Sequence, residues 1–175
     1  MYYSVFQTKA GWVGLEFSEL GLRRLVLPAT SKDKIVHQLK QNLQNGFISR
    51  DYPGDLTDKI RRYFEGNPVH FDCKLDLSGA TDFQYAVWKT TRNIPRGQVR
   101  SYHWVAVQLD KSNAARAVGQ ALAKNPIPLI IPCHRVIYNN GKAGGFSARS
   151  SVADIKLMLL RLEGVDITSA SGDFS

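Results

Sequence analysis

The chain is poor in cysteine, in acid along its second half, and in long apolar runs. Only two of its 175 residues are cysteines, Cys73 and Cys133, which lie 60 positions apart. That is too few for a disulfide framework, and the spacing is not that of a zinc site. His37 and His70 with Cys73 do not complete a ligand set. A reducing, intracellular compartment is the default for such cysteine usage. No apolar stretch approaches the roughly 20 residues that cross a bilayer. The opening residues show no basic segment followed by an apolar one, so no secretory signal is expected. Between Asp82 and Asp154 the one acidic residue is Asp110, against ten basic ones, in a chain of net charge +8. Such an excess means either a solvated surface or a polyanionic partner, with nucleic acid first. A membrane surface fits less well, because there is no long basic amphipathic segment.

Hydrophobic residues make up 43% and aromatics 10%, an ordinary globular composition. With domains of about 100 to 150 residues, the length suits one large domain or two small ones. Residues 2–7, 12–17 and 22–27 are short stretches rich in aromatic and branched side chains, punctuated by Gly11 and Gly21. They read as strands. Ser31 caps a helix reaching about residue 43, and a second helix runs over 55–64 with Gly66 past its end. There Leu56, Ile60 and Phe64 form one buried stripe. Residues 67–80 read as a strand and then a linker.

From residue 81 the pattern is helical. Thr81 or Asp82 caps a helix broken at Ile94-Pro95. Ser101 caps another over 102–109, and a third over 113–124 ends at Asn125-Pro126, since a residue before proline avoids the α region. Two short helices joined by a three-residue turn are a helix-turn-helix candidate. The second is made of small residues around Arg116. Ala114, Ala115, Ala117 and Gly119 offer no long donors to base edges in a major groove. They do allow a close backbone approach to a narrow groove, or tight packing of two helices. The fold class is thus α+β. It comprises an N-terminal α/β domain over 1–76 (a three-stranded antiparallel sheet plus helix), a mainly helical domain over 82–166, and a small, polar, frayed tail over 167–175.

The chemistry concentrates at Pro132-Cys133-His134-Arg135-Val136. Proline favours extended backbone beside the thiol. The neighbouring imidazole and guanidinium are expected to lower the thiol pKa from about 8.5. A cysteine beside a base is the minimal activated nucleophile, although a buried cysteine is more often inert. Glu163 ends the last helix just before Gly164, a natural left-handed cap. A carboxylate is unfavourable at a helix C-terminus, which makes Glu163 the candidate partner of His134.

These residues resemble the O6-alkylguanine-DNA alkyltransferases, also called methylated-DNA–protein-cysteine methyltransferases. The likeness rests on Pro132 to Val136 together with Arg116-Ala-Val-Gly119, Asn125-Pro126, Ile94-Pro95, Gly97, Ser101-Tyr102, Gly144 and Leu162-Glu163-Gly164, in family order over about 83–165. The resemblance implies a one-step, irreversible transfer of an alkyl group from O6 of guanine, and from O4 of thymine, to Cys133 in duplex DNA. It needs no cofactor and no metal. Cys133 is then the nucleophile, His134 the base acting through a water, and Glu163 its support, while Asn125 braces the turn. Arg116 fills the place of the flipped nucleotide and Tyr102 rotates its phosphate. Ser101, Ala114, Ala115, Ala117 and Gly119 meet DNA from the minor groove. The guanine pocket takes Leu122, Pro128, backbone groups of Val136, Phe146 and Ser147. Phe146 departs from the tyrosine of many relatives and lacks its hydroxyl. The resemblance further implies a monomer, cytoplasmic or, in a eukaryote, nuclear. Two alternatives stand beside it: a non-catalytic helix-turn-helix binder of alkylated DNA, and a Cys-His-Glu hydrolase.

Overall fold

Two compact units divide the chain: residues 1–78 with Pro126–Pro128, and residues 79–125 with 129–175. The structure is a computed structural model. It describes residues 1–41, 48–141 and 150–166, with the side chains of all but 150–154.

The first unit is built on a meander. Strands β1 (Tyr2–Thr8), β2 (Gly11–Ser18) and β3 (Gly21–Ala29) pair antiparallel in sequence order. Gly21 has φ 144, and a Cβ there would lie 2.5 Å from Lys74 O, so this turn requires glycine. The expected three-stranded antiparallel sheet is incomplete. A two-residue strand β4 (Ile48–Ser49) runs parallel to β1, giving the order β3-β2-β1-β4. Both its residues are exposed, so no apolar alternation announced it. Helix α1 (Lys32–Lys40) starts at Ser31, whose Oγ accepts from Lys34 N. It buries Ile35 and Leu39 with Val26. It comes so close to β2 that a Cβ on Gly14 would sit 2.5 Å from Ile35 Cγ2. Helix α2 (Leu56–Phe64) buries Leu56, Ile60 and Phe64, and Tyr63 beside them.

The strand expected within residues 67–80 reduces to one bridge, Leu22 to Leu75. Asp76 ends it: its carboxylate accepts from Ser78 N and Ser18 Oγ and turns the chain away. Pro126 O accepts from Leu25 N at 2.9 Å, which ties Pro126–Pro128 to β3.

The second unit is mainly helical. Helix α3 (Asp82–Arg92) opens with a reciprocal cap between Thr81 and Gln84. Its buried Trp88 donates from Nε1 to Ala121 O at 3.0 Å. Helix α4 (Tyr102–Gln108) is capped by Ser101, whose Oγ accepts from Trp104 N at 2.9 Å. Asp110, at φ 56, takes the left-handed turn that follows. A 3-10 turn (Ser112–Ala114) then leads into α5 (Ala115–Ala123). Two-residue strands β5 (Arg100–Ser101) and β6 (Val136–Ile137) pair in parallel. Helix α6 (Ser150–Leu162) closes the unit, with Val99, Ile137 and Leu160 packed together. Among the described residues no helix is long and apolar enough to cross a membrane, and no group of metal-ligating side chains is assembled.

Candidate active site

Cys133 begins a 3-10 turn (Cys133–Arg135) and is buried. Pro132 is not extended, as its residue type suggested. It has φ −79 and ψ 63, and Cys133 N donates to Ile131 O at 2.8 Å. That is an inverse γ-turn, which bends the chain immediately before the thiol. Asn125 holds this bend from α5's end: its Nδ2 donates to Ile131 O at 2.8 Å, and its amide also faces the sulfur.

Behind the thiol, His134 Nε2 lies 2.9 Å from Glu163 Oε1, and both side chains are buried. Arg135 closes on the same carboxylate from Nε and Nη2, at 2.8 and 2.9 Å, and donates from Nη1 to Ile94 O. Burial works against the Glu163 charge, but the hydrogen bonds from His134 and Arg135 outweigh it and hold the carboxyl well below the usual range. Burial pushes His134 down, against the pull of Glu163, so the ring is neutral at rest. An ionised carboxylate only accepts, so Nε2 carries the hydrogen and Nδ1 the lone pair.

The expectation of a thiol acidified by its neighbours is not met at rest. Burial pushes the Cys133 thiol up, and the Asn125 amide and the Lys156 charge only partly oppose it. Of the two expected activators, Arg135 is committed to Glu163 and His134 is uncharged.

Lys156 went unmarked in the sequence. It is almost fully buried, donates to Val136 O at 2.6 Å and sits 5.8 Å from the centre of the Tyr102 ring. Burial lowers its pKa to about 8, with Cys133 pulling the other way. The signal was available: Lys156, Leu160 and Glu163 stand at i, i+4 and i+7, one face of α6.

Tyr102 lies over the surface of α5. A Cβ on Gly119 would meet its ring at 3.7 Å, an ordinary contact. Burial raises its hydroxyl to about 12. A groove of about 700 Å³ runs beside it, lined by Tyr102, Ala115, Arg116 and Gly119 among others. Arg116 and Ala117 are exposed and Ala114 is half-buried. Ser101, expected at the DNA surface, is instead buried, because its hydroxyl is used to cap α4. Leu122 and Val136 are buried, and Pro128 is half-buried in the tripeptide that groups with the first unit. Phe146 and Ser147, and the tail over 167–175, lie outside the described residues.

The comparisons with known proteins agree along the chain. The family described as 6-O-methylguanine DNA methyltransferase, DNA binding domain, matches residues 82–165; the corresponding ribonuclease-like domain matches residues 1–77. The methylated-DNA–protein-cysteine methyltransferase of Methanosarcina barkeri is 38% identical over 164 residues, 93% of this chain and 97% of that one. Its counterpart from Shigella flexneri is 45% identical over 129 residues, 74% of this chain and 72% of the relative. Among solved structures, Mycobacterium tuberculosis OGT in complex with DNA matches with a TM-score of 0.75 at 35% identity, covering 93% of this chain and 92% of that chain. The chain therefore belongs to the O6-alkylguanine-DNA alkyltransferases, DNA-repair proteins that move an alkyl group from O6 of guanine onto a cysteine of their own.

Proposed function

We propose that Cys133 is the accepting cysteine and that His134, Glu163 and Asn125 prepare it. The observation that carries this reading is the buried His134–Glu163 pair one residue from a buried thiol. A neutral imidazole is a base. Nδ1 takes the thiol proton through one water, and the Glu163 carboxylate stabilises the imidazolium that forms. The thiolate attacks the O6-bound carbon in line. An S–C bond forms, the C–O6 bond breaks with its electron pair left on guanine, and the base takes up a proton. The thioether is not hydrolysed, so each molecule acts once.

Helix α4, the turn at Asp110 and α5 act as a helix-turn-helix that enters the minor groove on Ala114, Ala115, Ala117 and Gly119. The lesion is flipped out of the stack at a cost of a few kcal/mol, less for a poorly paired base. Arg116 takes its place and Tyr102 turns its phosphate; Ser101 contributes by fixing the start of α4. Leu122 and the Val136 backbone line the guanine pocket. The same transfer extends to O4-alkylthymine, which a mass gain on Cys133 with an O4-methylthymine duplex would test. The chain works as a monomer on alkylated duplex, in the cytoplasm or, in a eukaryote, the nucleus. Affinity comes mostly from phosphates and falls with salt.

Intact-mass analysis after mixing with excess O6-methylguanine duplex tests this reading. One added methyl on Cys133, absent in Cys133→Ser, is the expected result. Tight binding with no mass gain would assign lesion recognition without transfer.

A further inference from the structure

Tyr138 is a large side chain the mechanism leaves unused, and it is 51% exposed. Its place is fixed from behind. Val136 and Ile137, fully buried, pair with Arg100 and Ser101, and Gly141 N then donates back to Tyr138 O at 3.0 Å. Gly141, at φ 76, takes the left-handed turn this requires. This hydrogen-bonded backbone presents an aromatic ring to solvent. The ring lies against that of Tyr102, with centres 5.3 Å apart and planes tilted by 52°. Both rings line the groove that α5 lines with Arg116 and Gln120. Among the described residues no acidic side chain lines that groove, and Asn139 and Asn140 add neutral amides. This is an aromatic platform beside one guanidinium, Arg116, and stacking on such a platform holds a nucleic-acid strand without reading its sequence.

Depth decides which nucleotide it meets. Cys133 is 4% exposed, whereas Tyr138 stands at the rim. A base delivered to the sulfur has left the rim, and the strand remains there. We propose that Tyr138 stacks on a nucleotide flanking the lesion in the damaged strand and so holds the strand while its neighbour is extruded. The inference rests on the alkyl-transfer reading above, since it takes Cys133 as the destination of the flipped base.

The test compares two substrates: duplex carrying O6-benzylguanine, and O6-benzylguanine as the free base. Stacking on an aromatic ring is worth roughly five- to a hundredfold per base by alanine substitution. Tyr138→Ala is expected to lower the second-order rate on duplex by about tenfold or more and to leave the free-base rate within about twofold. Tyr138→Phe, which keeps the ring, is expected to match wild type on both. An equal loss on both substrates would make Tyr138 a pocket or folding residue and overturn the proposal. So would a duplex rate unchanged in Tyr138→Ala, or a Tyr138→Phe as impaired as the alanine. Failure of wild type to alkylate Cys133 with either substrate would instead overturn the underlying reading, a separate outcome.

Discussion

Glu163 Oε1 lies 2.9 Å from His134 Nε2, and the same oxygen also receives Arg135 Nη2 at 2.9 Å. One buried carboxylate therefore sets the tautomer of the imidazole and neutralises the guanidinium beside it. Glu163→Gln keeps the shape, but it leaves Arg135 as a partly buried charge without its counter-ion. Removing one partner of a buried pair costs about 3–5 kcal/mol. We expect a loss near the lower end in urea unfolding, because Arg135 keeps its bond to Ile94 O. Alkyl transfer should fall at least tenfold, read by single-turnover repair of duplex.

Acid should unfold the protein through the same cluster. Glu163 and His134 both have pKa values depressed in the folded state. Each contributes stability that is fully present above its unfolded value, roughly 6.5 for histidine and 4.3 for glutamate, and that is lost as pH falls. Thermal scans should show the melting temperature declining from about pH 6.5 downward. The decline should be shallower in Glu163→Gln, and an identical acid limb in the two proteins would rule out this origin.

Lys156→Met should separate stability from rate. The ammonium is buried with a pKa lowered to about 8, so folding strains its charge at neutral pH. Replacement by methionine should leave the melting temperature unchanged or raise it. The same change removes a cation that favours the Cys133 thiolate. The pH at which the thiol becomes reactive, followed by iodoacetamide alkylation, should move up. A shift of one unit corresponds to about tenfold less thiolate at a given pH. A loss of rate with no shift of the profile would point to packing alone.

Arg116 is exposed on α5 and makes no ion pair among the described residues. Arg116→Ala should impair repair of duplex while the reaction with free O6-benzylguanine survives. Arg116→Lys should not restore it, since an ammonium lacks the planar fork that replaces a base. Equal losses in both assays would count against a role in flipping.

Gly14→Ala should destabilise the first unit by about 1–3 kcal/mol through overpacking. The new Cβ would stand 2.5 Å from Ile35 Cγ2 and 2.9 Å from Leu39 Cδ1, and the Ile35 methyl has no flexible end to swing away. Urea midpoints of the two proteins measure it.

Much of this architecture was legible because its signals are local. Ser31, Thr81 and Ser101 cap helices through their own hydroxyls, and Gly66 and Gly164 end helices with positive φ. Strand β4 was not legible, since two exposed residues carry no pattern and the pairing partner is β1, more than 40 residues away. The bond between His134 and Glu163 was foreseen from an ill-placed carboxylate at a helix end. The resting state of the thiol was not. Adjacent charges are visible in a sequence, whereas the burial that outweighs them belongs to the assembled core. Lys156 differs: its place on the α6 face that carries Leu160 and Glu163 is legible from the spacing, and only the depth of its burial belongs to the assembled core.

The raised pKa of the buried Cys133 has a consequence for storage. A reagent that works once is wasted by any premature reaction, and the species that oxidants and stray electrophiles attack is the exposed thiolate. At rest this sulfur is protonated, covered, and flanked by an uncharged imidazole. The cluster behind it is a cocked mechanism with its safety on. On the proposed alkyl-transfer reading, this keeps the molecule unspent between lesions and leaves arming to the moment a flipped base fills the site.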